Sequence, residues 1–143
     1  MGLLDSILGS EKKETTMATG SSMNPFSVTV SFSPLRLSAN KKNTVHMVVK
    51  IKNISGENQL VSVDALLPRD CMLGFDQAGI NKVVEKKMGD VGAGENIDIP
   101  IEVWANNQTK AGSYPIEVRV YAHYIGYDKV VSHIKKSAAL RVA

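Results

Sequence analysis

The sequence predicts an all-β chain, a two-sheet sandwich of about seven to eight antiparallel strands behind a short leader. Three observations predict it. From Phe26 onward, apolar side chains recur at every second position in run after run, the period of half-buried strands. Glycine, proline, asparagine and aspartate cluster between the runs at the spacing of sandwich turns. After residue 24, no stretch sustains the 3.6-residue period of a helix.

Taken in order, "FSVTVSFS" sets Phe26, Val28, Val30 and Phe32 on one face and Ser27, Thr29 and Ser31 on the other. Pro34 ends that strand, and Leu35 and Leu37 continue in a second short piece. "TVHMVVKIKN" turns Val45, Met47, Val49 and Ile51 inward and His46, Val48, Lys50 and Lys52 outward, and "ISGEN" makes the turn. "QLVSVDALLP" sends Val61, Val63, Ala65 and Leu67 inward. A short strand is expected near residues 71–75, a loop through "DQAGIN", a strand over residues 82–87 and a turn at "GDVGAGEN". "IDIPIEVW" alternates with Ile97, Ile99, Ile101 and Val103 inward; Pro100 within it demands a sheet edge or a bulge. "SYPIEVRVYAHY" turns Tyr114, Ile116, Val118, Val120 and Ala122 inward, and "IGYD" is a tight turn. The last strand spans residues 129–142 with Val130, Ile134, Leu140 and Val142 in phase. Lys136 breaks that phase, so a bulge is expected near residues 134–137.

Ahead of the sandwich, residues 1–24 read as a leader and residues 25–143 as the domain. Residues 2–9 suit a short amphipathic helix: Leu3, Leu4, Ile7 and Leu8 span about 140° at 100° per residue. "SEKKETTMATGSSMN" is too polar and small to bury itself and reads as a flexible tether, so the whole leader is expected to be disordered in isolation. "MGLLDS" fits the M-G-x-x-x-[ST] pattern of N-myristoylation. Lys12 and Lys13 face Asp5, Glu11 and Glu14, however, so the polybasic second signal of a stable membrane anchor is missing.

"VKIKNISGENQLVSVDALLP", "GDVGAGENIDIPIEV" and "KAGSYPIEVRVYA" follow one another in an order that resembles the Ig-like, cell-adhesion-related (CARDB-type) domains of bacteria and archaea, including glycosidase-associated accessory domains. The similarity covers about residues 40–142. It rests on an N-x-S-G turn, a G-x-x-x-x-G-E turn before an alternating strand, and a G-x-Y-x-I/V-x-V strand near the end. It implies an Ig-like β-sandwich acting as a binding or spacer module of a prokaryotic protein, with no catalytic residues to transfer. Gly56 and Gly94 are expected at positive φ. Tyr114 is expected to act as a tyrosine corner, ring inward and hydroxyl on backbone.

Composition narrows the function. Of the 143 residues, 43% are hydrophobic, enough for a domain core. Seventeen basic residues against 14 acidic give a net charge of +3, too balanced to imply nucleic acid. No apolar run approaches the roughly 20 residues of a membrane span, and the first residues lack the basic start and cleavage motif of an export signal. A cytoplasmic location is therefore expected, with a peripheral membrane location as the alternative. Cys71 is the only cysteine, so it reads as a small buried thiol. Asn53 and Asn107 match N-x-[ST] and are taken as chance matches.

His46, His123 and His133 lack metal-ligand spacing, and the scattered loop acids Asp70, Asp76, Asp90, Glu95 and Asp98 lack a calcium-loop pattern. The glycines of "GDVGAGEN" are not a phosphate loop, because no Lys-Ser/Thr follows and a strand comes next. No metal, cofactor or catalytic residue is therefore expected, and the chain is read as not an enzyme. Lys50 and Lys52 are explained by cross-strand pairing with the acids of the Ile97-to-Trp104 run, worth a few tenths of a kcal/mol per pair. The candidate partner-binding residues are Leu3, Leu4, Ile7 and Leu8 on the leader and Trp104 at a strand end. The expected function is a protein-binding or self-assembling module acting through a sheet edge or strand-end residues. The alternative is a membrane-peripheral protein held by the N-terminal segment.

Overall fold

Alternating side chains leave each strand one apolar face, and two sheets close those faces on each other. The computed structural model describes residues 24–143, all of which are strand, turn or coil. There are nine strands: β1 (Phe26–Ser33), β2 (Arg36–Leu37), β3 (Asn43–Asn53), β4 (Gln59–Leu66), β5 (Leu73–Gly74), β6 (Val83–Val91), β7 (Asn96–Ala105), β8 (Gly112–Tyr124) and β9 (Gly126–Val142). They form a four-stranded sheet in the order β1-β3-β7-β5 and a five-stranded sheet in the order β2-β9-β8-β4-β6. Every connection except the β8–β9 hairpin crosses between the two sheets, as in an Ig-like sandwich. All strand pairs are antiparallel except the two-residue pairing of β2 with the end of β9.

The core lies between the sheets and follows the alternation. Val45, Met47, Val49 and Ile51 meet Val61, Val63 and Ala65, with Ile99, Ile101 and Val103 against Ile116, Val118, Val120 and Ala122, all buried. Cys71 is buried with them, its thiol 3.1 Å from the Pro68 carbonyl. Across β3 and β7, Lys50 stands opposite Asp98 as charge pairing requires, whereas Lys52 meets Asn96. At Pro100, β7 has β3 on one side and nothing on the other, because β5 reaches only Trp104 and Ala105. That is the edge position a proline needs. Tyr114 packs against the core and its hydroxyl donates to the Lys110 carbonyl at 2.6 Å, the expected tyrosine corner.

Four details differ from the sequence reading. β6 runs on to Val91, whose side chain is buried, so "GDV" belongs to a strand. Gly89, at φ 75°, makes a bulge opposite Val61 and Ser62 where "GDVGAGEN" reads as a turn. Gly94 has positive φ (78°), but Gly56 does not, and a Cβ there would meet open space. The irregularity of β9 lies at residues 127–131, not 134–137: the register is continuous from Ser132 to Val142 and breaks on either side of Val130. Val130 is accordingly exposed, not inward. Lys136 keeps the inward phase because β9 has little beyond it on its outer side; at that open edge its long stem reaches water.

The sandwich has two ends. At one, β1, β4, β7 and β9 begin and β3, β6 and β8 finish; at the other lie β2, β5 and the chain's last residues. There the Ala143 amide donates to the Leu37 carbonyl and the Ala143 carbonyl accepts from the Ala39 amide, both at 2.9 Å.

Candidate functional site

The end at which β1 begins is built around Asn53, the last residue of β3. Its side chain is fully buried and fully bonded. Nδ2 donates to the Glu57 carbonyl (2.8 Å) and the Val91 carbonyl (2.9 Å), and Oδ1 accepts from the Ser55 amide (2.9 Å) and hydroxyl (2.6 Å). Its backbone amide donates to Glu95 and its carbonyl accepts from Gly94. One asparagine thus fixes both the "NISG" turn and the "GAGE" turn, which explains why the two motifs occur together. Loss of a partner to a buried polar group costs about 1–3 kcal/mol, so this loop end is stiff. Asn53, being buried, is no glycan acceptor in the folded chain.

Beside this staple the Ile54 amide donates to the Pro25 carbonyl at 2.9 Å, which pins the start of the described chain to the β3–β4 loop. The β8–β9 hairpin stands opposite. It turns at Ile125, which has φ 67°, a left-handed conformation that β-branched residues rarely adopt. Tyr127, in the segment of β9 that skips its register, is held by the Gly89 amide donating to its hydroxyl at 2.9 Å and by Lys87 5.3 Å from its ring centroid. The bulge after it exposes two successive valines.

Between loop and hairpin lies a groove of about 510 Å³ whose walls include Asn24, Pro25, Ile54, Tyr124 and Val131. Ile54, Tyr124, Ile125, Val130 and Val131 are 53–83% exposed and account for five of the nine exposed large hydrophobic residues of the described chain. Solitary exposed apolar residues are ordinary; here they gather at one end of the sandwich.

A polar cluster lies on the outer face of the five-stranded sheet. Ser62 Oγ is 2.7 Å from His123 Nε2, and both residues are buried, at 3% and 8% exposure. Tyr121 and Tyr127 lie against the imidazole, with centroids at 6.1 and 5.1 Å, and His133 stacks on Tyr121. His123 Nδ1 is buried and has no hydrogen-bond partner among the described residues. A hydrolytic pair needs a reachable hydroxyl and a group orienting the far ring nitrogen, and this pair has neither. Next to it, Asp64 is pushed above the usual carboxylate range, first by burial and second by the neighbouring Glu85; Tyr121, Arg119 and His123 act in the opposite direction.

Trp104 lies at the other end, half-buried, its indole N–H donating to Glu102 (3.2 Å) and its ring 5.9 Å from Lys42 Nζ. Leu3, Leu4, Ile7 and Leu8 fall outside the described residues. The structure therefore places Trp104 far from the point where the leader joins. The loop acids are split likewise: Asp70 and Asp76 at the Trp104 end, Asp90, Glu95 and Asp98 at the Asn53 end. Among the described residues no three metal-ligating side chains converge. His46 faces Glu102 at 3.7 Å. The sequence reading missed the apolar rim and the Ser62–His123 pair. Three tyrosines and a histidine within "YAHYIGY" were the available signal for both.

No protein-family model matches the chain, and no curated protein matches it. Among solved structures, the chain is similar to a FixG-related protein from Vibrio parahaemolyticus, with 12% identity, a TM-score of 0.52 and coverage of 84% of this chain and 98% of that one. It is similar to the alkylpurine DNA glycosylase AlkC of Pseudomonas fluorescens, in complex with DNA containing an abasic-site analogue, with 14% identity, a TM-score of 0.50 and coverage of 82% of this chain and 30% of that one. At such identities the likeness shows a shared fold alone.

Proposed function

We propose that this chain is a non-enzymatic binding and assembly module whose working surface is the apolar rim of the Asn53 end. The observation that carries this reading is the exposure of Ile54, Tyr124, Ile125, Val130 and Val131 at one end of the sandwich, with Ile54, Tyr124 and Val131 lining one groove there. The open flank of β9 adds to it. β2 covers only Arg141 and Val142, so the bulged beginning of β9 offers backbone groups and apolar side chains together to an extended apolar segment of a protein partner. The CARDB-type resemblance, which implies a binding or spacer module, fits the same reading, as does a cytoplasmic protein of a prokaryote.

The test is affinity purification of the full chain beside its Val131→Asp variant. Val131 is 65% exposed, so the charge leaves the core untouched. Proteins or further copies retained by the parent and lost by the variant support this reading. A capture profile unchanged by Val131→Asp refutes it.

A further inference from the structure

The outer face of the five-stranded sheet carries a row of four charges, in register across four neighbouring strands. Lys135 of β9 stands opposite Arg119 of β8, Arg119 opposite Asp64 of β4, and Asp64 opposite Glu85 of β6. The order of signs is plus, plus, minus, minus. We propose that this face binds a second copy of the chain, packed face to face about a two-fold axis that runs along the strands between β8 and β4.

Cross-strand charges are favourable when opposite in sign, and like charges directly opposite destabilise a sheet. Here two of the three neighbouring pairs are alike. The effect is visible at Asp64, whose carboxyl is held above the usual range first by burial and second by Glu85. Arg119 is engaged within its own chain by Glu117. Lys135 and Glu85, at the two ends of the row, are exposed, and neither has an ion-pair partner among the described residues.

Symmetry selects the partner. A two-fold axis along the strands reverses the strand order and keeps each residue in its own row. It lays β9 over β6 of the second copy and β8 over its β4. Lys135 then meets Glu85 of the second copy and Arg119 meets its Asp64, each contact made twice, as an isologous interface requires. An axis across the strands would lay each charge on its own duplicate. Twisted sheets packed face to face stay within about 30° of alignment, so the central row remains superposed. In the next row the same operation brings Tyr121 over Ser62, and His133 toward Lys87, whose ammonium lies 5.3 Å from its own Tyr127 ring centroid. Four strands about 4.8 Å apart, over the roughly 27 Å of the eight-residue β4, give a footprint of about 500 Å² per copy. Twice that area is the lower bound of specific interfaces, so the dimer is weak and charge sets its specificity. This surface is separate from the apolar rim, and each stands without the other.

Charge reversal tests the dimer by sedimentation equilibrium of the full chain. At about 100 µM and low salt the mass is expected to approach twice the 15.5 kDa of one copy, and to fall on dilution or in about 0.5 M salt. Lys135→Glu and Glu85→Lys are each expected to weaken association about tenfold or more. Both positions are exposed, so the urea midpoints stay near that of the parent. Mixed in equal amounts, the two variants are expected to associate again, because both contacts then join opposite signs. A full chain that keeps the mass of one copy up to about 500 µM overturns the proposal. So does a dimer that neither reversal weakens, or a mixture of the variants that stays monomeric. A dimer abolished by Val131→Asp and untouched by the reversals moves self-association to the rim, which overturns this inference and leaves the reading of the rim intact.

Discussion

Ile125 carries an isoleucine where hairpin turns favour glycine or asparagine, at φ 67°. For an ordinary L-residue this conformation costs about 1–2 kcal/mol, and asparagine tolerates it. Ile125→Asn is therefore expected to stabilise the fold by about 1 kcal/mol in urea denaturation while weakening capture of partners. Asp64 offers a second test. Burial and Glu85 raise its proton affinity in the folded chain, so its contribution favours folding below the ordinary carboxylate pKa and is lost as pH rises through the folded pKa. Asp76 runs the other way: the Ile80 and Asn81 amides donate to its carboxylate and lower its pKa, giving stability that is lost as pH falls. Asp64→Asn is expected to raise stability at pH 7 and to flatten the fall in stability above pH ~4, read from urea midpoints across pH 4–7.

At the scale of elements, β3, β4 and β8 were legible because each has a neighbour on both sheet sides for most of its length, and β7, open on one side for most of its length, still has a covered face, so in all four burial simply follows parity. β9 was legible only in its second half. Its edge position lets Lys136 keep an inward phase, which from sequence alone looked like a break, while two adjacent valines hid the true bulge. The Ser62–His123 pair escaped for a related reason: parity calls both outward, and only Tyr121 and Tyr127 laid over that face bury them. Lys136 also has a use. A charge turned inward on an open edge hinders edge-to-edge pairing. Lys136→Val is expected to leave the monomer folded but to increase light scattering at high concentration; unchanged scattering would deny Lys136 this role.

For the whole molecule, the two ends differ in kind. The Trp104 end is knitted by internal bonds: buried Thr109 donates to the Met72 carbonyl at 2.6 Å, and Lys82 donates to the Cys71 carbonyl at 2.8 Å. The Asn53 end is equally stiff in its backbone yet leaves apolar side chains in solvent. The sequence predicted the sandwich, and it offered the leader and Trp104 as candidate contact points. It gave no sign that loop and hairpin would meet, because Ile54 and Val131 are remote in sequence and become neighbours only when β3, β4, β8 and β9 are assembled.

The tie between Ala143 and Leu37 has a mechanical consequence. β1 starts at the Asn53 end and β9 finishes at the opposite end, so tension applied between residues 24 and 143 runs along the strands. The hydrogen bonds of β1 with β3 and of β9 with β8 would then be loaded together in shear, not opened one at a time like a zipper. Force spectroscopy with handles at those two positions is expected to give a higher unfolding force than handles at residues 24 and 56, which pull both ends of the hydrogen-bonded β1–β3 pair from the same end of the sandwich.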